Sequence, residues 1–236
     1  MHIYNFKINA FSFAETLIVI TVLGILAAIT VTSLVKSYQK TQTITKLKKI
    51  YSDINQAIDV SVIENGPVDT WQGSNQEKIR DYLIPHFKVD EIITLPEARR
   101  RAKKYYEISG KQETGLNIIA RTVADDRAYA LNLRNGTQIW IISSSIVITF
   151  LVDLNGSKKP NTFGKDVFLM RYYIQENIFD FDSRCDTDTE YIKRSAEQLK
   201  TSNSCNKYGC NKNSRGMWCG ALIEASGWQF PKDYPW

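Results

Sequence analysis

The sequence predicts an α+β protein in which a long N-terminal helix packs on an antiparallel β-sheet and a disulfide-bearing tail follows. Three observations support this fold class. An apolar run opens the chain, the apolar residues alternate with a period of two from about residue 127, and all four cysteines lie in the last quarter of the 236 residues. This length suits one ordinary domain with an appendage.

The apolar run extends from Phe11 to Val35 and contains one charged residue, Glu15. At about 1.5 Å per residue, the run is long enough to cross a hydrocarbon core of about 30 Å. A buried core helix is the alternative, but core helices are seldom apolar on every face over such a length. We therefore expect residues 11–35 to form the transmembrane half of the N-terminal helix.

The lone carboxylate of Glu15 should have a partner, because an unpaired charge in lipid is costly. No residue of its own helix is expected to offer a partner nearby, so the identity of the partner stays open at this point. The alternative interpretation is a carboxylate at the headgroup level, where the helix dipole stabilises it.

The helix is predicted to continue as an amphipathic half over residues 36–64, and Asn65-Gly66 forms a suitable stop. Apolar residues recur there at steps of three and four. Lysines follow the apolar run closely, and the positive-inside rule would place that side in the cytoplasm. The recurring apolar residues are Ile44, Leu47, Tyr51, Ile54 and Ile58, and the lysines are Lys36, Lys40, Lys46, Lys48 and Lys49.

Residues 67–125 are interpreted as loops and short helices. Asn75 is expected to cap the helix "QEKIRDYLI", and Pro96 is expected to start the helix "PEARRRAKKYYEI". The second helix carries a basic cluster that favours a solvated face, with nucleic acid or acidic lipid as the alternative partner. The cluster comprises Arg99, Arg100, Arg101, Lys103 and Lys104.

Four strands are predicted in the second half of the chain: "AYALNL", "TQIWII", "SIVITFLV" and "DVFLMRYYI". Asn135-Gly136 between the first two is a strong hairpin signal. Because the connections are mostly short, we expect an antiparallel meander.

The cysteines predict two disulfides, Cys185–Cys205 and Cys210–Cys219, in an oxidising compartment. Four cysteines allow three connectivities, so the pairing stays open at this point. A zinc site is the weaker alternative, because the spacing lacks the paired C-x2-C units of common zinc modules.

The loop "VDLNGSKKPN" resembles the start of a calcium loop at Asp153, Asn155 and Gly156. Lys158 and Lys159 occupy positions where acidic ligands would be expected. A plain turn, in which Asp and Asn bond their own backbone, is therefore preferred, and no cofactor is predicted.

Enzyme chemistry is not predicted. His86 is the one histidine beyond the first ten residues, and the sequence contains neither G-x-S-x-G nor a glycine-rich phosphate loop. A histidine-assisted nucleophile is therefore not expected.

The opening of the chain resembles the prepilin signature of type IV pilins and type II secretion pseudopilins. Ala10 is followed by "FSFAE", and "GILAAI" stands at the usual distance from the cleavage site. Ala10 replaces the usual Gly, Thr16 replaces an apolar residue, and Thr32 stands where many members have a helix-kinking Pro. A looser resemblance to prepilin-type proteins runs from Arg127 to the C-terminus.

The resemblance implies that prepilin peptidase removes a leader, residues 1–10, by cutting between Ala10 and Phe11, and then methylates the Phe11 amine. It also implies that Glu15 pairs with the N-terminal amine of a neighbouring subunit. The expected protein is a filament subunit of a pilus or pseudopilus, held in the inner membrane by one span. Its globular domain, 65–236, would be exported. Its partners would be other subunits and the inner-membrane assembly platform.

The alternative function is a minor pilin that acts as a membrane-tethered module for binding DNA or another ligand. The basic cluster at Arg99–Lys104 is the sequence feature that supports it.

Overall fold

The chain divides into two compact units, Met1–Gln42 and Thr43–Trp236, and we call the second unit the head. The computed structural model describes residues 12–93, 97, 104–112, 127–156, 158–185, 188, 190–200, 205 and 207–236.

Helix α1 spans Phe13–Asn65, close to the predicted bounds. It ends at Gly66, whose φ of 81° only glycine adopts readily and whose N–H donates to the Val62 carbonyl oxygen at 2.9 Å. In the first unit, every side chain from residue 13 to residue 39 is exposed. In the head, the helix buries a stripe made of Leu47, Ile50, Ile54, Ala57, Ile58 and Ser61, which confirms the predicted amphipathic half.

The sheet has six antiparallel strands in sequence order, which confirms the predicted meander. Two strands were not predicted: β1 at one edge and β6 at the other. The strands are β1 Val89–Ile93, β2 Ala128–Leu133, β3 Gln138–Ser143, β4 Val147–Asp153, β5 Val167–Tyr173 and β6 Ile178–Phe181.

The β2–β3 hairpin confirms the Asn135-Gly136 turn, with a three-residue loop. The Leu133 N–H donates to the Thr137 carbonyl oxygen at 2.8 Å and closes the loop. Gly136 has a φ of 82°, whereas Asn135 is not among the residues with positive φ. This is the pattern of a turn followed by one left-handed residue, for which glycine is the favoured choice.

The predicted cap of the first short helix needs correction. The N-cap of α2, Asn75–Lys78, is Ser74 rather than Asn75. The Ser74 hydroxyl accepts from the Glu77 N–H, and the Glu77 carboxylate accepts from the Ser74 N–H. This capping box outcompetes Asn75 because it satisfies two backbone donors at once.

The second predicted helix, "PEARRRAKKYYEI", lies mostly outside the described residues. Its described end is not helical. Tyr106 forms bridges with Gln112 and Thr162, because its backbone bonds to the β4–β5 loop instead of to a helical turn. The Tyr106 N–H donates to the Asn161 carbonyl oxygen at 2.9 Å.

The core lies between α1 and one face of the sheet. Register places Phe150, Met170 and Phe181 side by side on that face. Tyr51 of the helix stacks on Phe181 at 5.2 Å between ring centroids. Strand β4 is buried along its whole length, which means that the second face of the sheet is covered as well.

The tail after β6 contributes two short helices, α3 at Ala196–Lys200 and α4 at Cys219–Ala225. Trp218, immediately before α4, is fully buried. The tail is therefore part of the head's core, as its aromatic residues predict.

Candidate functional site

The start of α1 is the first candidate site. Ala10 and Phe11 lie outside the described residues, so the predicted cleavage and methylation sites stay predictions. Ser12 and Glu15 form reciprocal hydrogen bonds: the Ser12 N–H donates to Glu15 Oε2 at 2.8 Å, and the Glu15 N–H donates to Ser12 Oγ at 3.2 Å. This S-x-x-E pair is a capping box.

The expectation that no residue of its own helix offers Glu15 a partner is therefore wrong. The first turn of any helix leaves backbone N–H groups without acceptors, and Glu15 reaches back to one of them. Glu15 Oε1 has no hydrogen bond within the part of the chain that the structure describes. The capping box thus engages one carboxylate oxygen and leaves the other available.

The threonines of the apolar run satisfy their own hydroxyl groups. Each donates to a carbonyl oxygen three or four residues earlier, at 2.8–3.2 Å, so the helix presents few free polar groups to an apolar surrounding. The threonines that make these bonds are Thr16, Thr21, Thr30 and Thr32. The helix continues without a break through Thr32.

Within residues 12–42, nothing covers the apolar surface of this segment. Leu17, Ile25 and Leu34 are between 50% and 71% exposed. By length and composition, α1 is able to cross a membrane. An exposed apolar surface of this extent marks contact with lipid or with another chain.

The predicted disulfides are confirmed: Cys185 pairs with Cys205, and Cys210 pairs with Cys219. Cys219 is the first residue of α4, and its Sγ packs against Gly164. A Cβ atom added at Gly164 would lie only 2.7 Å from Cys219 Sγ, so a larger residue would not fit there. The second bridge, which lies within the tail, therefore packs closely against the β4–β5 loop.

Arg194 lies beside the first bridge. Its Nη2 contacts Cys185 Sγ at 3.1 Å and donates to Asp188 Oδ2 at 2.8 Å, and its guanidinium lies over the Trp218 ring at 5.0 Å. The ion pair and the ring contact hold the tail against the disulfide.

The loop after β4 forms the predicted turn, because Asp153 Oδ1 accepts from the Asn155 N–H at 3.3 Å. The sequence interpretation missed Asp166, the residue that organises this loop. Its carboxylate accepts from the Thr162 N–H at 2.6 Å, the Asn161 N–H at 2.8 Å and Asn155 Nδ2 at 2.9 Å. Burial raises the pKa of Asp166 despite these donors.

Among the described residues, no group of three or more His, Cys, Asp or Glu side chains is placed to hold a metal ion. The weak calcium candidates Asp153 and Asn155 are instead joined to the loop backbone and to Asp166. This arrangement agrees with the turn that the sequence favoured.

A second polar cluster that the sequence did not reveal joins the tail to β6. Asp180, 5% exposed, accepts from the Tyr191 hydroxyl at 2.5 Å and from Lys193 Nζ at 2.6 Å. Lys193 also donates to Glu224 of α4 at 2.7 Å. Burial, with Asp180 and Glu224 nearby, raises the pKa of Tyr51 to about 12. The cluster connects three elements of the head.

Most of the predicted basic cluster, Arg99 to Lys103, lies outside the described residues. Its last member, Lys104, is exposed. The alternative of nucleic acid or acidic lipid at this cluster therefore stays a prediction.

Fold and sites together define an α+β protein with a disulfide-bonded head and, among the described residues, one helix that is long and apolar enough to span a membrane. The chain belongs to DUF6613, a family of unknown function, whose model matches residues 33–236. No curated protein matches the chain, and no solved structure matches it.

Proposed function

We propose that the protein is a structural subunit of a type IV pilus-like or type II secretion pseudopilus filament. In this proposal prepilin peptidase removes residues 1–10 and methylates the Phe11 amine. The mature chain then waits in the inner membrane with its head exported, and it enters the filament through its N-terminal helix.

The observation that carries the proposal is the register at the helix start. A small residue, Ala10, precedes Phe11, and Glu15 follows four residues later at the head of an apolar helix. From residue 13 to residue 39 every side chain of that helix is exposed, which suits a segment that is surrounded first by lipid and then by equivalent helices.

Glu15 supplies the electrostatic part of the proposal. Its Oε2 is engaged by the Ser12 N–H, and its Oε1 is available for the N-terminal amine of a neighbouring subunit. In a low-dielectric filament core, opposite charges attract strongly, and each charge would be costly alone. The pair would therefore favour one axial register between helices, with the capping box orienting the carboxylate.

The two disulfides support export of the head. Disulfides form and persist in oxidising compartments such as the bacterial periplasm and are rare in reducing cytosol. This consideration outweighs the lysines that follow the apolar run, because the positive-inside rule is a statistical bias.

The direct test is the intact mass of the full-length chain expressed with and without a prepilin peptidase. We expect loss of residues 1–10 and addition of a methyl group only when the peptidase is present. An Ala10→Gly variant restores the usual residue and should be cut at least as well, whereas Ala10→Leu should keep its leader. An unchanged mass with active peptidase, or a cut after Val35, would refute the proposal.

A further inference from the structure

The Cys185–Cys205 bridge lies where the chain doubles back just after β6. The Ser183 hydroxyl donates to the Ile192 carbonyl oxygen at 3.0 Å, so the two stretches of chain run close together there. This return brings Arg194 to the bridge. Its Nη2 contacts Cys185 Sγ at 3.1 Å, whereas, within the described residues, no cationic side chain donates to Cys205 Sγ.

The Arg194 side chain is only 10% exposed, and its guanidinium is only partly paired. Besides contacting the sulfur, Nη2 donates to Asp188 Oδ2 at 2.8 Å, and the same oxygen accepts from the Cys185 N–H at 2.8 Å. Nη1 is buried and has no hydrogen-bond partner in the part of the chain that the structure describes. Because a buried donor without an acceptor is costly, the guanidinium has unused capacity for a further anionic atom.

The state of the bridge decides how well Cys185 can use that capacity. In a disulfide, its sulfur is neutral and a weak acceptor. A thiolate carries a full negative charge, and hydrogen bonds between ionised groups are roughly twice as strong as neutral ones. Arg194 therefore stabilises Cys185 more when the bridge is open than when it is closed. A thiol whose pKa is lowered by a neighbouring cation is also the better leaving group in disulfide exchange.

The second bridge provides an internal comparison. The two bridges are buried to a similar degree, since Cys185 and Cys205 are 3% and 4% exposed, and Cys210 and Cys219 are 2% and 0% exposed. Among the residues described, no cationic side chain donates to either sulfur of the second bridge. Access alone thus predicts little difference between the bridges, and Arg194 is the feature that separates them.

We propose that Cys185–Cys205 is a thiol-exchange site of the head, at which Arg194 makes Cys185 the leaving sulfur. The thiolate of a small thiol attacks Cys205 Sγ and forms a new S–S bond with it. The Cys185–Cys205 bond breaks, and its electron pair stays on Cys185 Sγ as a thiolate beside Arg194. A second thiolate then attacks the mixed disulfide, so that two small thiols are oxidised to one disulfide while the bridge is reduced to two thiols.

Opening this bridge leaves the tail attached to the rest of the head. Cys210–Cys219 is a separate bridge, and Lys193 joins Asp180 of β6 to Glu224 of α4. The head can therefore exchange thiols at one bridge and keep its fold. This exchange goes beyond the proposed filament and does not depend on it.

The test incubates the oxidised full-length chain, in detergent, with reduced glutathione. Acid quenching, alkylation and peptide mass measurement then follow each bridge separately. In the wild type, Cys185–Cys205 should open at least about tenfold faster than Cys210–Cys219, because a stabilised leaving thiolate speeds exchange. The first glutathione should be found on Cys205, with Cys185 as the free thiol.

Arg194→Met removes the charge and keeps most of the side-chain volume. It should slow the opening of Cys185–Cys205 about tenfold and leave the rate at Cys210–Cys219 unchanged. Arg194→Lys is the matched control, because it retains a cation without the planar guanidinium, and its rate should lie between those of the wild type and Arg194→Met. A purely structural Arg194 predicts the opposite, since its loss would leave the buried Asp188 unpaired, loosen the tail and speed the opening.

Three outcomes would overturn the proposal. Equal rates for the two bridges in the wild type would exclude a role for Arg194. An Arg194→Met variant that opens Cys185–Cys205 as fast as the wild type, or faster, would exclude it as well. Glutathione bound first to Cys185 would mean that Cys205 is the leaving sulfur. The wild-type rates and the position of glutathione decide the matter even if Arg194→Met does not fold.

Discussion

The first unit and the head use the same apolar residue types in opposite ways. Ile25 in the first unit is 58% exposed, whereas Ile54, on the same helix in the head, is 0% exposed. The difference shows that α1 has two tasks. Its later turns are stabilised by the core of the head, and its earlier turns present an apolar surface that the described residues leave exposed.

The same contrast appears among the polar groups. In the apolar run of the first unit, threonine hydroxyls bond to their own helix and Glu15 bonds to Ser12, so these polar groups are satisfied by residues three or four positions away. In the head, buried carboxylates such as Asp166 and Asp180 bond to distant segments and hold loops and tail in place. The polar bonds of the apolar run therefore stay within one helix, whereas those of the head join segments that are far apart in the sequence.

The largest expected effect compares one substitution in the two regions. Ile54→Ala should lower the free energy of unfolding of the head by about 2–5 kcal/mol, because it opens a cavity in a close-packed core. Ile25→Ala should leave that quantity unchanged, because its side chain packs against nothing in its own unit. Urea unfolding of the detergent-solubilised chain, followed by tryptophan fluorescence, measures both. Equal losses for the two variants would contradict the division into two regions.

Next in size is the loss of a disulfide. Replacing Cys210 and Cys219 together by Ala should lower the free energy of unfolding by about 2–4 kcal/mol, because the unfolded tail gains conformational freedom. The loss should reach the β4–β5 loop, since Gly164 packs on Cys219. Hydrogen exchange of the loop and tail in wild type and variant reports this, with residues 13–39 as the internal control. An unchanged loop would show that the bridge acts on the tail alone.

A smaller effect is expected at Asp166. The substitution Asp166→Asn should cost about 1–3 kcal/mol, because an amide has one acceptor oxygen for three donors. Burial raises the pKa of Asp166 in the folded state. The unfolded carboxyl therefore ionises first, and the stability that Asp166 contributes falls as pH rises through its raised pKa.

The loss in free energy of unfolding caused by Asp166→Asn should accordingly be larger at about pH 3 than at about pH 7. Unfolding titrations of both chains over that range give the difference directly, and Asp153→Asn serves as a matched control in the same loop. A loss of stability that instead grows with pH would mean that the three hydrogen-bond donors lower the pKa of Asp166 by more than burial raises it.

Periodicity and turn residues were enough to predict α1, strands β2 to β5 and the β2–β3 hairpin. Strands β1 and β6 were missed because each has only four or five residues and carries acidic residues, so no apolar alternation stands out. Their place in the sheet follows from backbone pairing with β2 and β5, which is a tertiary effect.

Both capping boxes were readable in the sequence. Ser74 precedes Glu77 by three residues, and Ser12 precedes Glu15 by the same step, so the S-x-x-E pattern alone identifies both helix starts. The hydrogen bonds of Asp166 and Asp180 could not be predicted from a sequence pattern of this kind. Their donors come from a loop turn and from a tail segment that sequence spacing does not bring together.

The central claim is that the charge of Glu15, and not its capping bond alone, serves assembly. Glu15→Gln tests it most directly, because glutamine at this position retains the capping box and loses the charge. Glu15→Ala, which loses both, is the comparison, and filament content relative to membrane subunit is the measurement. The account predicts that both variants insert, are cut and fold, and that both accumulate in the membrane without assembling. Normal assembly of Glu15→Gln beside a defective Glu15→Ala would show that the capping bond suffices and would contradict the claim.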